Sequence, residues 1–385
     1  MEVDSGFVHV FSPFINAEIV QKRNSNKAVE KMRLYLFPKT RILGLSKFVL
    51  LWEEQTKMER DAIFKAVQDA LRDIPLLMVG SGCSAPHGLP GMKALGDFLL
   101  TQLDPKYRGK LCWDSFRENI EKGEDLETAL SGVTLTKEIL DGVKRETWKL
   151  ISEKDIALFD QILFDHKELP LANLLRKFYQ AHPRKIDIIT TNYDRLIEYS
   201  CDSVGIPVIT GFDGCYQKRF TGTFQPKDAV NLLKVHGSLD VFRDTHNVAV
   251  SVPMLQELPP GLIPELITPG RSKYEAILQG TYRPLLAAAD ERIRQAKSFL
   301  CIGYGFNDTQ VQELILAQIR CGIPIVVLTR TVTDHAASLL ANNAKHYIYI
   351  QKGPAANTTE ICIDRAISHL DGTFWTVDGL MEIID

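Results

Sequence analysis

The stretch Ile74–Pro90, IPLLMVGSGCSAPHGLP, decides how this chain is read. Ile74 and the run Leu76-Leu77-Met78-Val79 make a short apolar segment of the kind a buried strand needs. It leads without a break into Gly80-Ser81-Gly82-Cys83-Ser84-Ala85, which fits the G-x-G-x-x-G/A fingerprint of a dinucleotide-binding turn, with Ala85 in the last place. The spacing has a steric meaning. Gly80 permits a tight turn off the strand, and Gly82 has no Cβ to hold a pyrophosphate away from the backbone. A helix starting just beyond would aim free N–H groups and the positive end of its dipole at phosphates. A Gly-rich turn after a strand also serves as a plain turn, so the surrounding chain has to decide between the two.

Upstream, KMERDAIFKAVQDAL (Lys57–Leu71) repeats apolar residues at helical spacing and leads into the strand. Downstream, Lys93–Leu103, Leu135–Ile151, Asp155–Phe164 and Leu171–Gln180 keep the 3.6-residue period, and no strand pattern interrupts residues 90–185. That is too long for one crossover helix. It predicts a helical insertion or small domain over about 92–183, of the kind that walls a ligand cleft. Alternation then resumes: strands at Ile186–Thr190, Pro207–Thr210, Val230–Val235, Leu239–Phe242, Ser298–Ile302 and Ile323–Thr329, with helices at Asp194–Val204 and Thr309–Ile319. His346–Ile350 reads as a final edge strand and Thr359–Leu370 as a last helix. The fold class expected is α/β, a Rossmann-like doubly wound parallel sheet with the helical insertion. Residues 1–58, with candidate strands at 33–37 and 48–52, read as an N-terminal extension; residues 59–330 as the nucleotide-binding domain; and residues 331–385 as a C-terminal segment packed on the core.

Composition bounds the function classes. The chain has 385 residues, 45% hydrophobic and 24% charged, which is ordinary for a globular protein of about two domains. The formal net charge of −3 gives no global attraction to nucleic acid or to membranes. Seven cysteines, none at C-x-x-C spacing, are neither a disulfide framework nor a zinc ribbon. The N-terminus lacks a signal-peptide pattern and no apolar run approaches membrane-spanning length, so a reducing cytoplasm is the expected setting.

Four strands end in polar or Gly-rich punctuation: Gly80–Gly88 after the first; Thr191-Asn192-Tyr193-Asp194 after Ile186–Thr190; His236-Gly237-Ser238 after Val230–Val235; and Gly303-Tyr304-Gly305-Phe306-Asn307-Asp308 after Ser298–Ile302. Ligands of open parallel sheets bind at the carboxyl ends of the strands, so the four clusters can line one crevice. Each also has a plainer reading. Asn192 or Asp194 can cap a helix, as can Asn307 or Asp308. His236-Gly237 can be a turn, His87 a solvated turn histidine, and Cys83 a small residue in a tight loop.

In this order the clusters resemble the motifs of the sirtuin family: the GAG-x-S-type loop with Gly88-Leu89-Pro90, then T-x-N-x-D at Thr190–Asp194, then H-G at His236, then a late Gly-Ser-type loop at Gly303. The resemblance spans roughly residues 74–330. Two departures point within the family. No cysteine pairs follow His236, so the structural zinc of the deacylases is not expected, and Pro90 leads to Gly91-Met92-Lys93 in place of Phe-Arg. The pattern is more similar to the bacterial sirtuin-like proteins of anti-phage defence, which hydrolyse NAD, and most similar to the subunit that partners a HerA-type ATPase. The resemblance implies NAD as substrate, with Asn192, His236 and Asp194 catalytic. It implies that Gly80, Ser81, Gly82 and Ser84 cradle the pyrophosphate, with Thr191, Gly303, Gly305 and Asn307 also on the nucleotide and the segment near Thr329-Arg330 around the adenosine. A homo-oligomer is implied as well, with direct nucleic-acid binding left open. An acyl-lysine deacylase and a non-catalytic NAD- or ADP-ribose-binding assembly subunit are the alternatives. Asp97, the nearest acidic residue to the ribose position of a Rossmann site, falls in a helical pattern and is not assigned that role.

Overall fold

The computed structural model describes residues 58–124, 126–244, 246, 248–268 and 282–385. The candidate strands at 33–37 and 48–52 lie outside the described residues, as does nearly all of the extension. In chain order the elements begin with helix α1 (residues 58–70) and strand β1 (Leu76–Val79), followed by the one-turn α2 (Ser81–Ser84). Then come α3 (Met92–Tyr107), α4 (Leu111–Glu121), α5 (Leu126–Ser131), α6 (Lys137–Phe164) and α7 (Pro170–Tyr179). Strand β2 (Lys185–Thr190) and α8 (Leu196–Asp202) lead to β3 (Val208–Ile209), β4 (Phe212–Asp213), β5 (Lys218–Phe220) and β6 (Ala229–Lys234). Next are β7 (Gly237–Arg243), β8 (Ala249–Ser251) and β9 (Ile263–Leu266). The chain ends with α9 (Tyr282–Gln295), β10 (Phe299–Ile302), α10 (Thr309–Cys321), β11 (Ile325–Leu328), α11 (Asp334–Asn343), β12 (Tyr347–Lys352), β13 (Thr358–Ile363), β14 (Ala366–Asp371) and α12 (Val377–Ile384).

The main sheet runs β14-β13-β12-β11-β10-β1-β2-β6-β3 and is parallel from β12 through β3. Strand order reverses between β1 and β10, the switch point at which such sheets open a crevice. Because neighbouring residues of a strand face opposite ways, β1 feeds two cores. Leu77 and Val79 pack with α1, α6, α7 and α8; Leu76 and Met78 pack with α9, α10 and α11. The expected α/β frame with a Rossmann-like parallel sheet is therefore present, with helices on both faces. A third core belongs to α3–α6 alone, built on Trp113, Phe116, Leu99 and Ile139.

Several expectations need correction. The periods at Leu135–Ile151 and Asp155–Phe164 belong to one continuous helix, α6, capped by the Thr136 side chain, which accepts from the Ile139 amide. Thr359–Leu370 is not a helix but the antiparallel hairpin β13–β14. Asp364 and Arg365 turn it with φ of 46° and 79°, the left-handed pair that a two-residue hairpin needs. The usual signal at those two places is Asn-Gly, and its absence let the helical spacing of the apolar residues decide wrongly. The hairpin also makes β12 an interior strand rather than an edge, and its two strands are antiparallel, so the sheet is mixed. Leu239–Phe242 does not continue the main sheet. It lies in β7 of a separate antiparallel sheet, β4-β5-β8-β7-β9, whose other strands, two to four residues long, carry too little alternation to be read as strands.

Candidate active site

Strands β10, β1, β2 and β6 are consecutive neighbours, and all four polar clusters leave the sheet at the same end of them. The Val235 amide donates to the Thr190 carbonyl at 3.1 Å, so His236 emerges level with the Asn192 loop. The Thr190 hydroxyl donates to the Val79 carbonyl at 2.7 Å and accepts from the Asn192 amide at 3.1 Å, tying the second cluster to the first. Asn192, buried, donates from Nδ2 to Ser84 Oγ at 3.1 Å. Asp194 takes the helix-start role: its Oδ1 accepts from the Leu196 amide at 3.2 Å. The helix-cap reading thus holds for Asp194 and not for Asn192, which is bound across the crevice instead. Thr191, half-buried, is the first residue past the end of β2.

The glycines are where the first and fourth clusters meet. A Cβ on Gly82 would lie 2.8 Å from Gly303 Cα, and one on Gly80 2.4 Å from the Gly303 carbonyl oxygen. Gly303 itself has φ +58°, and its Cβ would lie 2.2 Å from the Cys83 amide. Gly82 is therefore glycine because another loop's backbone passes over it, a different cause from the pyrophosphate approach expected of it. The Gly82 amide donates to the Gly303 carbonyl at 3.0 Å and the Gly303 amide to the Leu328 carbonyl at 2.8 Å, knitting β1, β10 and β11 together at the switch point. Ser81, on α2, is exposed, as are Gly305 and Asn307. Gly303, Gly305, Thr329, Thr331 and Thr333 are among the residues lining a small recess of about 50 Å³.

From Gly303 the fourth loop continues across the strand ends. Tyr304 and Phe306 are buried and meet edge to face, their centroids 5.1 Å apart, with Phe306 held at φ +57°. A non-glycine residue in that region costs of order 1–3 kcal/mol and persists where packing over-determines it. The loop then delivers Asp308 to His236: Oδ2 lies 2.6 Å from Nε2, with side chains 6% and 13% exposed. β10 and β6 are three strand spacings apart, about 14 Å at 4.8 Å each. Asp308 thus reaches His236 by arching over the ends of β1 and β2. Asp308 entered the sequence reading only as a possible cap, since nothing in Phe-Asn-Asp points to a histidine 72 positions upstream.

Electrostatics sort the remaining groups. Burial, reinforced by the charge of Asp194, pushes the Cys83 thiol up to about 12, so it is no thiolate nucleophile near neutrality. Burial also raises Asp194, against the pull of Lys234. His87 is half-buried rather than solvated, and burial, with Lys167 nearby, lowers its pKa. A buried network that the sequence did not reveal lies behind the site. Asp155 on α6, fully buried, accepts from the Arg195 amide at 2.7 Å, from Arg195 Nε at 2.8 Å and from the Tyr199 hydroxyl at 2.5 Å, while Arg195 also donates to Asp240 at 2.8 Å. Arg195, Tyr199, Asp240, Glu198, Lys234 and Ser238 are among the residues lining a cavity of about 360 Å³ beside β7. None of Ser84, Asn192 or His236 lines it, so the convergence of the clusters, not this cavity, defines the site. Asp97 is exposed on α3. Among the described residues no group of three or more His, Cys, Asp or Glu is placed to hold a metal, and no helix is long and apolar enough to cross a membrane.

A family model described as a SIR2-like domain matches residues 187–362, a span that takes in Asn192, Asp194, His236 and the Gly303–Asp308 loop but not the Gly80–Pro90 turn. Among solved structures the chain is similar to a mutant Sir2 homologue in complex with ADP ribose, at 18% identity over 72% of this chain and 85% of that one, with a TM-score of 0.40. It is also similar to Sir2Tm bound to a propionylated peptide, at 14% identity over 74% of this chain and 91% of that one, with a TM-score of 0.39. No curated protein matches the chain.

Proposed function

We propose that the protein is an NAD glycohydrolase, cleaving the bond between nicotinamide and ribose C1′ with water as acceptor. The observation that supports this most is the convergence at one sheet edge of the glycine-lined turn, the Ser84–Asn192 pair and the His236–Asp308 pair. Nicotinamide leaves as a neutral ring from a cationic one, so no general acid is required. The transition state has oxocarbenium character and needs a positioned water and a proton acceptor. With Nδ2 given to Ser84, the Asn192 amide has its oxygen left as an acceptor for the water or a ribose hydroxyl. His236 accepts the proton released as the C1′–O bond forms. The Gly80–Ser84 turn takes the pyrophosphate, and Gly303, Gly305 and the segment near Thr329-Arg330 flank the adenosine half. On the resemblance of the motifs, we extend the reading to cytoplasmic NAD depletion in anti-phage defence, by a homo-oligomer working with a HerA-type ATPase.

The test is nicotinamide release from NAD by the purified protein, alone and with a HerA-type ATPase added. His236→Ala and Asn192→Ala should each lower kcat by roughly 10²–10⁴-fold, the range for a lost acid–base or positioning group, with melting temperatures close to that of the parent. Release should not require an acetyl-lysine peptide. Wild-type turnover by His236→Ala would remove the proposed base, and turnover that begins only when peptide is added would remove the hydrolase reading.

A further inference from the structure

Resting on that reading, we propose that Asp308 is the positioning residue of His236: it fixes which ring nitrogen carries the proton and so makes Nδ1 the base. The argument starts from the 2.6 Å approach of His236 Nε2 to Asp308 Oδ2. At that distance a carboxylate oxygen is attracted to a ring nitrogen that carries a proton and repelled by one that presents its lone pair. A carboxylate supplies none, so Nε2 carries it. Neutral His236 is then the Nε2–H tautomer, and its acceptor lone pair is on Nδ1. Among the described residues no hydrogen bond engages Nδ1, whereas Nε2 is sealed from solvent against the carboxylate. The contact lacks the alignment of a full hydrogen bond, a common condition of catalytic pairs before substrate closes the site.

The rest of the loop is built to hold this carboxylate in place. Gly303 is locked under Gly82 and Cys83, Phe306 is buried in a left-handed conformation, and the Asp308 carbonyl accepts the Gln312 amide at 2.9 Å as α10 begins. Asp308 itself is 5% exposed. The proton balance is simple. Water forms a bond to C1′ as the C1′–N bond breaks, its proton passes to Nδ1, and the imidazolium is stabilised by the Asp308 carboxylate until the proton returns to solvent. Asp308 acts through His236 and touches no reacting atom.

The experiment pairs kinetics with a measurement on the ring itself. In protein labelled with ¹⁵N in the histidine rings, with the His236 signals assigned by their loss in His236→Ala, His236 should show a protonated Nε2 and an unprotonated Nδ1. Asp308→Asn should populate the other tautomer and lower kcat by about 10²–10⁴-fold, with KM for NAD changed less than about threefold. Asp308→Glu, which keeps the carboxylate, should restore both readouts in part. An Nδ1–H tautomer in the wild type, or a kcat in Asp308→Asn equal to or above the wild-type value, would overturn the assignment. Absence of any nicotinamide release would remove the proposed reaction, and the tautomer would still decide the pairing.

Discussion

At the scale of single residues, the site depends on side chains that are absent as much as on those present. Gly303→Ala would place a Cβ 2.2 Å from the Cys83 amide at φ +58°, with backbone on every side. We expect a loss of at least 1–3 kcal/mol of stability from the conformation alone, and loss of ADP-ribose binding. Gly305→Ala is the control, since its Cβ would meet only the Asn307 side chain, at 3.5 Å, and should melt like the parent. Thermal melts and calorimetric titration of both variants check this. Asp194 makes the opposite point. Its raised pKa means that the folded state holds the proton more tightly than the unfolded chain does. Its contribution to stability is therefore full below the unfolded value, near 3.9, and is lost as pH rises through the folded value, leaving a cost at neutrality. Asp194→Asn keeps the acceptor for the Leu196 amide and removes that cost. It should match or exceed the parent's melting temperature at pH 7 while losing activity, and the gap should close as pH falls toward 4. A melting temperature clearly below the parent's at pH 7 would mean that the charge, not the acceptor, is what the fold uses.

At the scale of elements, what could be read in advance followed burial on both faces. β1, β2, β6 and β10 are runs of Leu, Ile and Val flanked by turn residues, and such runs admit little but a central strand. Helices α3, α6 and α7 were legible because their apolar period is long, whereas α4 and the six-residue α5 were not. Where the signal is short, it failed. β13 and β14 share one turn with neither Gly nor Asn, and β4, β5 and β8 have two or three residues each. The Asp155–Arg195–Asp240 network was illegible for a different reason, since it joins α6, the start of α8 and β7 through residues 40 and 45 positions apart. It fastens the helical layer to the loop that carries Asn192 and Asp194. Asp155→Ala would leave the Arg195 guanidinium, 3% exposed, with Asp240 as its one remaining carboxylate partner. Breaking such a pair by removing one member costs about 3–5 kcal/mol. Chemical denaturation should show that loss, with NAD turnover falling further than the folded fraction accounts for. Replacing the charge pair's acceptor by Asn should recover part of the stability, because Asn still accepts from the Arg195 amide.

At the scale of the whole molecule, the site and the C-terminal hairpin sit far apart on one sheet, yet the fold makes one depend on the other. β13 and β14 cover β12, and α12 folds back across the α1 and α7 side. Gln68 donates to the Ile383 carbonyl at 2.7 Å, and Lys177 pairs with Asp385 at 2.5 Å. Ile361, Leu370, Phe374, Leu380 and Ile383 are buried in the same core as Leu77 and Val79 of β1. Ending the chain after Gly353 would remove those five side chains and bare the edge of β12. At about 1.5–3 kcal/mol for each large apolar side chain, the loss is roughly 7–15 kcal/mol, as large as the net stability of a typical domain. The exposed edge, with Ile348 and Ile350 along it, would also offer a template for intermolecular pairing. We therefore expect the shortened chain to be recovered as aggregate, with no cooperative melt and no ADP-ribose binding, although every residue assigned to the site is retained. Soluble yield, a thermal melt and a binding titration decide it. A shortened protein that melts within a few degrees of the parent and binds ADP-ribose equally would show that β1 and β10 hold the switch-point crevice without the far end of the sheet.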